Sequence, residues 1–138
     1  MQKLITYLKL FRSGNLLFII LTEYALHYFL IVPTLQSNGL HSIMTPLDMF
    51  LLILSTVLIA AGGYVINDYF DVNIDTINKP EKLYISKSIR RREAILLHQI
   101  LSEIAILIGI YFAWRCGNLR LMIVQPITIA FLDRKSVV

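Results

Sequence analysis

The sequence contains few groups that water would solvate. Only 16% of its 138 residues are Asp, Glu, Lys or Arg, whereas 57% are hydrophobic, and the mean hydropathy is +0.67. A chain of this length with so little polar surface cannot cover a soluble globule. Its single cysteine, Cys116, excludes an intramolecular disulfide. These scarcities indicate an integral membrane protein.

Three apolar runs are long enough to cross a bilayer, because a helix needs about 20 residues to span the hydrocarbon core. They cover 16–35, 46–66 and 94–114. A fourth run, 119–132, is shorter, and we expect a helix cut off at the end of this chain rather than a re-entrant segment. The first run is too long for the core of a signal peptide, and no A-x-A-like site follows it. The sequence therefore predicts an all-α bundle of transmembrane helices, a single truncated domain over 1–138.

Basic residues cluster before the first run and between the second and third. They are Lys3, Lys9, Arg12, Lys79, Lys82, Lys87, Arg90, Arg91 and Arg92. The connection 36–45 has no Lys or Arg. Because cytoplasmic segments carry the excess of basic residues, we expect the amino terminus and the 67–93 loop to face the cytoplasm, in the cell membrane of a bacterium. No basic face exists outside these flanks, so the charge predicts no nucleic-acid partner.

Polar side chains crowd the end of the second run, where the sequence reads "NDYFDVNID" (67–75). If the helix continues through this stretch, each residue advances by about 100° around its axis. Four side chains then share one quarter of the helix surface: Asn67, Asp68, Asp71 and Asp75. Carboxylates this close repel one another unless a cation is present. Oxygen ligands at this spacing suit Mg²⁺, which is usually held by one or two carboxylates together with substrate phosphates.

Two other interpretations of the cluster differ in what the carboxylates bind. In a small helical membrane protein without catalytic activity, the acidic helix end would pair with the Lys and Arg residues that follow it, and this alternative stays open. Tyr69 and Phe70 argue against it, because apolar neighbours on the other faces are typical of a helix packed among others. A calcium loop is excluded, since its sixth position requires Gly and is Thr76, and its twelfth requires Glu and is Lys82.

The run "NDYFDVNIDTINKP" (67–80) resembles the first aspartate-rich motif, N-D-x-x-D-x-x-x-D, of the UbiA superfamily of intramembrane prenyltransferases. In that family the motif lies at the cytoplasmic end of the second transmembrane helix and follows small residues, here Ala60, Ala61, Gly62 and Gly63. The resemblance implies a UbiA-like bundle of about nine helices, of which this chain would hold about three and a half. It also implies a second motif, D-x-x-x-D, in the carboxy-terminal half of the family's fold, and no such run follows the first motif in this sequence. We therefore expect no turnover by this chain alone.

The resemblance also implies roles for individual residues. Mg²⁺ would be held by Asn67, Asp68, Asp71 and Asp75. The catalytic residues would be Asp71, Asp75 and Lys79. The substrate would be bound by Arg12, Asn15, Asn67 and Lys82.

The implied reaction is a Mg²⁺-dependent transfer of a prenyl group from a prenyl diphosphate to a hydrophobic acceptor within the lipid bilayer. The carbon–oxygen bond of the donor breaks when the charge of the departing diphosphate is neutralised, and the acceptor captures an allylic carbocation. The acceptor would be a quinone precursor or a glycerol phosphate lipid. The segments "LFRSGNLLFIILTEYAL" and "NKPEKLYISKSIRRREA" are most similar to the geranylgeranylglycerol-phosphate geranylgeranyltransferase type.

Further polar residues lie within or beside the predicted spans. Glu23 and His27 are four residues apart and share a face of the first helix, where they would either place the acceptor or make an interhelical contact. We expect His98 to pack against neighbouring helices. Tyr64 and Tyr69 are expected to be aromatic residues of the membrane interface.

Overall fold

The computed structural model of the protein describes residues 2–72, 76–77, 85 and 89–134. Its α-helices are α1 (Gln2–Leu10), α2 (Ser13–Leu26), α3 (Val32–Ser37), α4 (Pro46–Phe70), α5 (Arg91–Arg115) and α6 (Val124–Arg134). A π-helical turn, His27–Ile31, joins α2 to α3, and a 3₁₀ turn, Leu119–Ile123, precedes α6. The predicted all-α fold class is confirmed.

Three continuous helical stretches are apolar and long enough to cross a membrane. They cover Ser13–Ser37, Pro46–Phe70 and Arg91–Arg115, each of 25 residues. At about 1.5 Å per residue each exceeds the roughly 30 Å of the hydrocarbon core. The three predicted runs lie within these helical stretches, which extend a few residues further at most of their ends. The fourth run, Leu119–Leu132, is a shorter apolar helical segment.

The first span changes from α- to π-helical geometry in front of Pro33. Proline has no N–H, so Pro33 cannot donate the hydrogen bond that a regular α-helix would direct to the carbonyl of Phe29. The amide of Val32 instead donates to the carbonyl of His27, five residues earlier. The Thr34 hydroxyl donates to the Leu30 carbonyl at 2.6 Å, which satisfies another acceptor next to the break. The irregular turn thus places His27 at its amino-terminal end.

Helices α4 and α5 form a closely packed antiparallel pair. Near one end, Nδ1 of His98 donates to the carbonyl oxygen of Gly62 at 3.1 Å. A Cβ atom at Gly62 would lie 3.4 Å from that nitrogen, so the absence of a side chain lets α5 approach the α4 backbone. Helix α6 packs on the same pair, where Gln125 donates to Ser55 at 3.3 Å and its side chain covers Gly109. Small residues therefore allow the three helices to approach closely.

At its first residue α4 is held by a capping box. The Thr45 hydroxyl accepts from the Asp48 amide at 3.1 Å, and the Asp48 carboxylate accepts from the Thr45 amide at 2.8 Å. The same carboxylate accepts from the Arg115 guanidinium at 2.9 Å and from the Tyr111 hydroxyl at 3.1 Å. Asp48 is buried. We call this end of the α4–α5 pair the Asp48 end.

The opposite end of the pair carries an apolar cluster that involves α1. Its buried members are Leu10, Val65, Val72, Ile85, Ile89 and Ala94. Tyr7 and Phe11 pack against them from the amino-terminal segment. The sequence interpretation did not identify α1 as a separate helix. Its docking brings the residues that follow it, from Phe11 to Asn15, next to the end of α4.

Candidate active site

The aspartate-rich motif begins on the last turn of α4. Asn67 and Asp68 are half-buried on that turn. The helix ends at Phe70, and Asp71, whose amide still donates to the Asn67 carbonyl at 3.0 Å, is its exposed C-cap. Val72, Thr76 and Ile77 are helical as well, so the prediction that helical geometry continues to Asp75 stays a prediction, although α4 itself ends at Phe70. Asp75 lies outside the described residues.

The other predicted residues divide into those inside and those outside the described part of the chain. Lys79 and Lys82 lie outside it, so their predicted roles remain predictions. Arg12 and Asn15 lie inside it, at the junction of α1 and α2. The structure brings both of them to the end of α4.

Arg12 occupies a backbone conformation that L-residues adopt rarely. Its φ is 52° and its ψ is 54°, in the left-handed helical region. Among the described residues it is the only non-glycine residue with positive φ. Its amide donates to the Lys9 carbonyl at 3.0 Å, and its carbonyl accepts from the Asn15 amide at 2.7 Å, so both adjoining helices hold it. Such conformations are costly and cluster at functional sites, which makes Arg12 a candidate binding residue.

The Arg12 side chain reaches across to α4. Its Nη2 donates to Oδ1 of Asp68 at 3.0 Å, and the two side chains are 49% and 19% exposed. Its guanidinium carbon lies 4.9 Å from the centroid of the Tyr64 ring, within cation–π range. The side-chain amide Nδ2 of Asn15 donates to the Tyr64 hydroxyl at 3.5 Å. Arg12, Asn15, Tyr64 and Asp68 therefore form one contiguous polar group, which we call the Asp68 site.

Tyr64 is the member of this group that sequence analysis assigned elsewhere. It was expected to anchor the membrane interface, whereas its ring lies beneath the Arg12 guanidinium. The signal for this placement is present in the spacing, because Tyr64 precedes Asp68 by four residues and so shares its helix face.

The oxygen donors at the end of α4 fit a hard divalent cation. Asp68 and Asp71 are two carboxylates three residues apart, and Asn67 adds an amide oxygen. Mg²⁺ is usually bound by one or two carboxylates, the remaining positions being filled by water and substrate phosphates. Within the described residues, no three His, Cys, Asp or Glu side chains are grouped closely enough to hold a metal by themselves. The described donors therefore fit a cation that a phosphate ligand helps to bind.

The polar pair in the first span is also placed by the structure. His27 is buried, and its ring stands edge-on to Tyr28 at 5.0 Å between centroids. Oε2 of Glu23 is buried and has no hydrogen-bond partner within the described part of the chain. The two alternatives for this pair, acceptor placement and interhelical contact, both remain predictions.

Comparison with known proteins relates this geometry to a family. The sequence profile of the UbiA prenyltransferase family matches residues 25–130. The chain belongs to the UbiA prenyltransferase family. The UbiA match contains Asn67, Asp68 and Asp71, whereas Arg12 and Asn15 precede it. With three apolar spans and this family membership, the chain is an integral membrane protein.

Three relatives of this UbiA-family chain are named digeranylgeranylglyceryl phosphate synthase. That of Sulfolobus acidocaldarius is 47% identical over 70 residues, which cover 48% of this chain and 25% of the relative. That of Methanosarcina mazei is 36% identical over 75 residues, 54% of this chain and 26% of the relative. That of Methanothermobacter thermautotrophicus is 36% identical over 111 residues, 66% of this chain and 39% of the relative. No solved structure matches the chain.

The alignments cover only part of each relative. The chain spans 25% of the Sulfolobus protein and 39% of the Methanothermobacter protein. The activity of a whole relative therefore does not transfer to this chain by similarity alone. These relatives are archaeal, so the expected bacterial membrane stays a prediction.

Proposed function

We propose that the protein binds a prenyl diphosphate at the Asp68 site and takes part in transferring its prenyl group to a hydrophobic acceptor within the membrane. The observation that carries this proposal is the contact of Arg12 with Asp68 at the end of an apolar span. This contact places a guanidinium, a group that binds phosphates well, beside a carboxylate that suits Mg²⁺. Family membership supports the same reaction class.

The charges of the site match what the reaction requires. As the allylic carbon–oxygen bond of the donor breaks, negative charge develops on the departing diphosphate. Mg²⁺, when bound, supplies Lewis-acid neutralisation of that charge. Asn67, Asp68 and Asp71 would hold the cation, and the Arg12 guanidinium would donate to the diphosphate. Inside an apolar helical bundle water would be scarce, so an acceptor would capture the carbocation before water does.

Three further residues complete the proposed site from outside the described part of the chain. Asp75 would add a carboxylate to the cation, while Lys79 and Lys82 would neutralise the departing diphosphate. We propose that the site faces the cytoplasm, because these lysines belong to the basic 67–93 segment.

A glycerol phosphate lipid is the acceptor that we favour over a quinone precursor. Three relatives are named for digeranylgeranylglyceryl phosphate, a glycerol phosphate that bears two geranylgeranyl groups. Geranylgeranyl diphosphate is then the donor, and a glycerol phosphate that already carries one prenyl chain is the acceptor. We further propose that this chain alone binds the donor without turnover, since the second aspartate motif of the family is absent from its sequence.

The alternative without catalysis is that the acidic helix end only pairs with basic residues. The Arg12–Asp68 ion pair is of the kind that this alternative expects, although Arg12 precedes the acidic helix end rather than following it. It gives no reason, however, for a match to a prenyltransferase family or for a demand for a divalent cation. Metal-dependent donor binding therefore separates the two functions.

The test is binding of geranylgeranyl diphosphate to the detergent-solubilised protein, with Mg²⁺ or with EDTA. Asp68→Asn and Asp71→Asn remove one charged ligand each and should weaken Mg²⁺-dependent binding about tenfold or more, because hydrogen bonds and ligation by charged groups are worth about 1.5–3 kcal/mol. Glu103→Gln, at an exposed carboxylate on α5, is the matched control and should bind like the wild type. Equal binding with EDTA, or by both aspartate variants, would show that the carboxylates hold no metal for the donor.

A further inference from the structure

The guanidinium of Arg12 has two contacts with α4, and the backbone that carries it is held between two helices. It donates to Oδ1 at 3.0 Å, it lies over the Tyr64 ring at 4.9 Å, and its backbone is held in the left-handed conformation between two helices. The Tyr64 ring and the held backbone therefore support the contact between Arg12 and Asp68. Arg12 is a resident counter-ion of the Asp68 carboxylate.

A counter-ion at this distance opposes a divalent cation at the same carboxylate. It neutralises the charge that attracts the metal, and two cations on one carboxylate repel each other. The Asp68 site therefore binds a metal more weakly with Arg12 in place than it would with a neutral side chain there.

Arg12 can also leave Asp68 for a more highly charged partner. Its side chain is 49% exposed and carries five N–H donors, of which the Asp68 contact uses one. A diphosphate offers more negative charge than a carboxylate and accepts the planar guanidinium through two parallel hydrogen bonds. Movement onto the diphosphate would remove the Arg12 charge from the Asp68 carboxylate.

We propose that Arg12 couples the two binding events: it competes with the divalent cation for Asp68 until a diphosphate draws it away. This inference rests on the proposed function and deepens it, since it makes Arg12 a competitor of the metal for Asp68 as well as a diphosphate ligand. Coupling of this kind is reciprocal, so the diphosphate raises metal affinity by the same factor as the metal raises diphosphate affinity. The affinity of the site for the metal is then low when no donor is present and rises when the donor binds.

Arg12→Gln separates this role from simple diphosphate binding, because the two arms of the measurement move in opposite directions. In the first arm, the protein is titrated with Mn²⁺ in place of Mg²⁺ and without diphosphate. Electron paramagnetic resonance measures the concentration of free Mn²⁺. The variant should bind Mn²⁺ about two- to fivefold more tightly, as expected for removal of a partly exposed competing ion pair. In the second arm, with EDTA and no metal, it should bind geranylgeranyl diphosphate about tenfold more weakly.

Control variants keep the comparison interpretable. Lys9→Gln removes the same charge three residues earlier, at an exposed position on α1, and should change Mn²⁺ affinity less than twofold. Arg12→Lys retains the positive charge and should stay closer to the wild type than Arg12→Gln. Adding Asp68→Asn to Arg12→Gln should abolish the gain in Mn²⁺ affinity, because the contested carboxylate is then absent. Gln and Lys have the same difficulty as Arg in adopting positive φ. Neither Arg12→Gln nor Arg12→Lys therefore changes the strain of the left-handed turn.

The outcomes distinguish this inference from the function on which it rests. If Arg12→Gln binds Mn²⁺ no more tightly than the wild type while both bind the donor in a Mg²⁺-dependent way, the competition is refuted and the proposed function stands. A gain as large in Lys9→Gln would also refute it, because bulk charge would then explain the effect. If the wild type binds neither Mn²⁺ nor donor, the proposed function itself fails.

Discussion

The α4–α5 pair carries an ion pair at each end, and the two differ in how fully the carboxylate is enclosed. At the Asp48 end the carboxylate side chain is 3% exposed and accepts from the Thr45 amide and hydroxyl, from Tyr111 and from Arg115. At the other end the Asp68 side chain is 19% exposed, beside an arginine that is 49% exposed. An enclosed carboxylate that already accepts from four protein donors has little capacity left for a ligand, whereas an accessible one can exchange its partner for a ligand.

A cavity does not by itself mark the functional end. The Asp48 end borders a cavity of about 660 Å³, which the connection between α3 and α4 lines together with Phe112 and Arg115. Yet the Asp48 carboxylate is already bonded to four donors there. The Asp68 end combines partly exposed charges with a strained backbone at Arg12. Chemistry rather than volume therefore decides which end we assign to substrate.

The largest expected difference between the two ends is in stability. Arg115→Gln leaves the enclosed Asp48 carboxylate without its counter-ion, which should lower the melting temperature on the order of 10 °C. The matched Arg12→Gln breaks a partly exposed pair and should leave the melting temperature within about 2 °C. Thermal unfolding of both variants in one detergent measures the contrast. An equal loss in the two would mean that the Asp68 site is as structural as the Asp48 end.

Helix packing offers a comparison of intermediate size. A Cβ atom at Gly109, in the half of the pair that carries Asp48, would collide with the Gln125 side chain, which is itself bonded to Ser55. Gly109→Ala should therefore lower the free energy of unfolding by about 1–3 kcal/mol, the usual cost of overpacking. At Gly62, in the other half, the new atom would lie 3.4 Å from His98, and we expect a smaller loss.

Gly14→Ala is the control for these glycine substitutions. Nothing lies within 4 Å of a Cβ atom at Gly14, and the residue is helical, so this change should not destabilise the protein. A loss at Gly14 as large as at Gly109 would contradict the packing explanation.

The spans were predictable from sequence because length and hydropathy alone decide which helices can cross a bilayer. Three predicted runs lie within the three helical stretches of the structure. The capping box at Thr45 and Asp48 has a sequence signature, T-x-x-D, at the start of α4. The end of helix α4 at Phe70 was not predicted, since the angular spacing of side chains says nothing about where a helix ends.

The ion pairs at the two ends of the α4–α5 pair could not be predicted from the sequence, for a physical reason. Arg12 and Asp68 are 56 residues apart, and Asp48 and Arg115 are 67 apart. Local spacing cannot reveal a pair that forms only after α1 docks or after α4 and α5 align. The family resemblance implied that Arg12 and Asp68 serve one site, but not that they touch.

The smallest expected effect compares one tyrosine hydroxyl at each end. Tyr111→Phe removes a donor to the enclosed Asp48 carboxylate, whose Oδ1 it contacts at 3.1 Å, and should lower the melting temperature by a few degrees. Tyr64→Phe removes only a long contact with Asn15, at 3.5 Å, and keeps the ring beneath Arg12. It should leave both the melting temperature and Mg²⁺-dependent donor affinity close to wild type, within about twofold. A large loss of donor affinity in Tyr64→Phe with an unchanged melting temperature would make that hydroxyl a ligand of the substrate, and the Asp68 site would then extend beyond its charged groups.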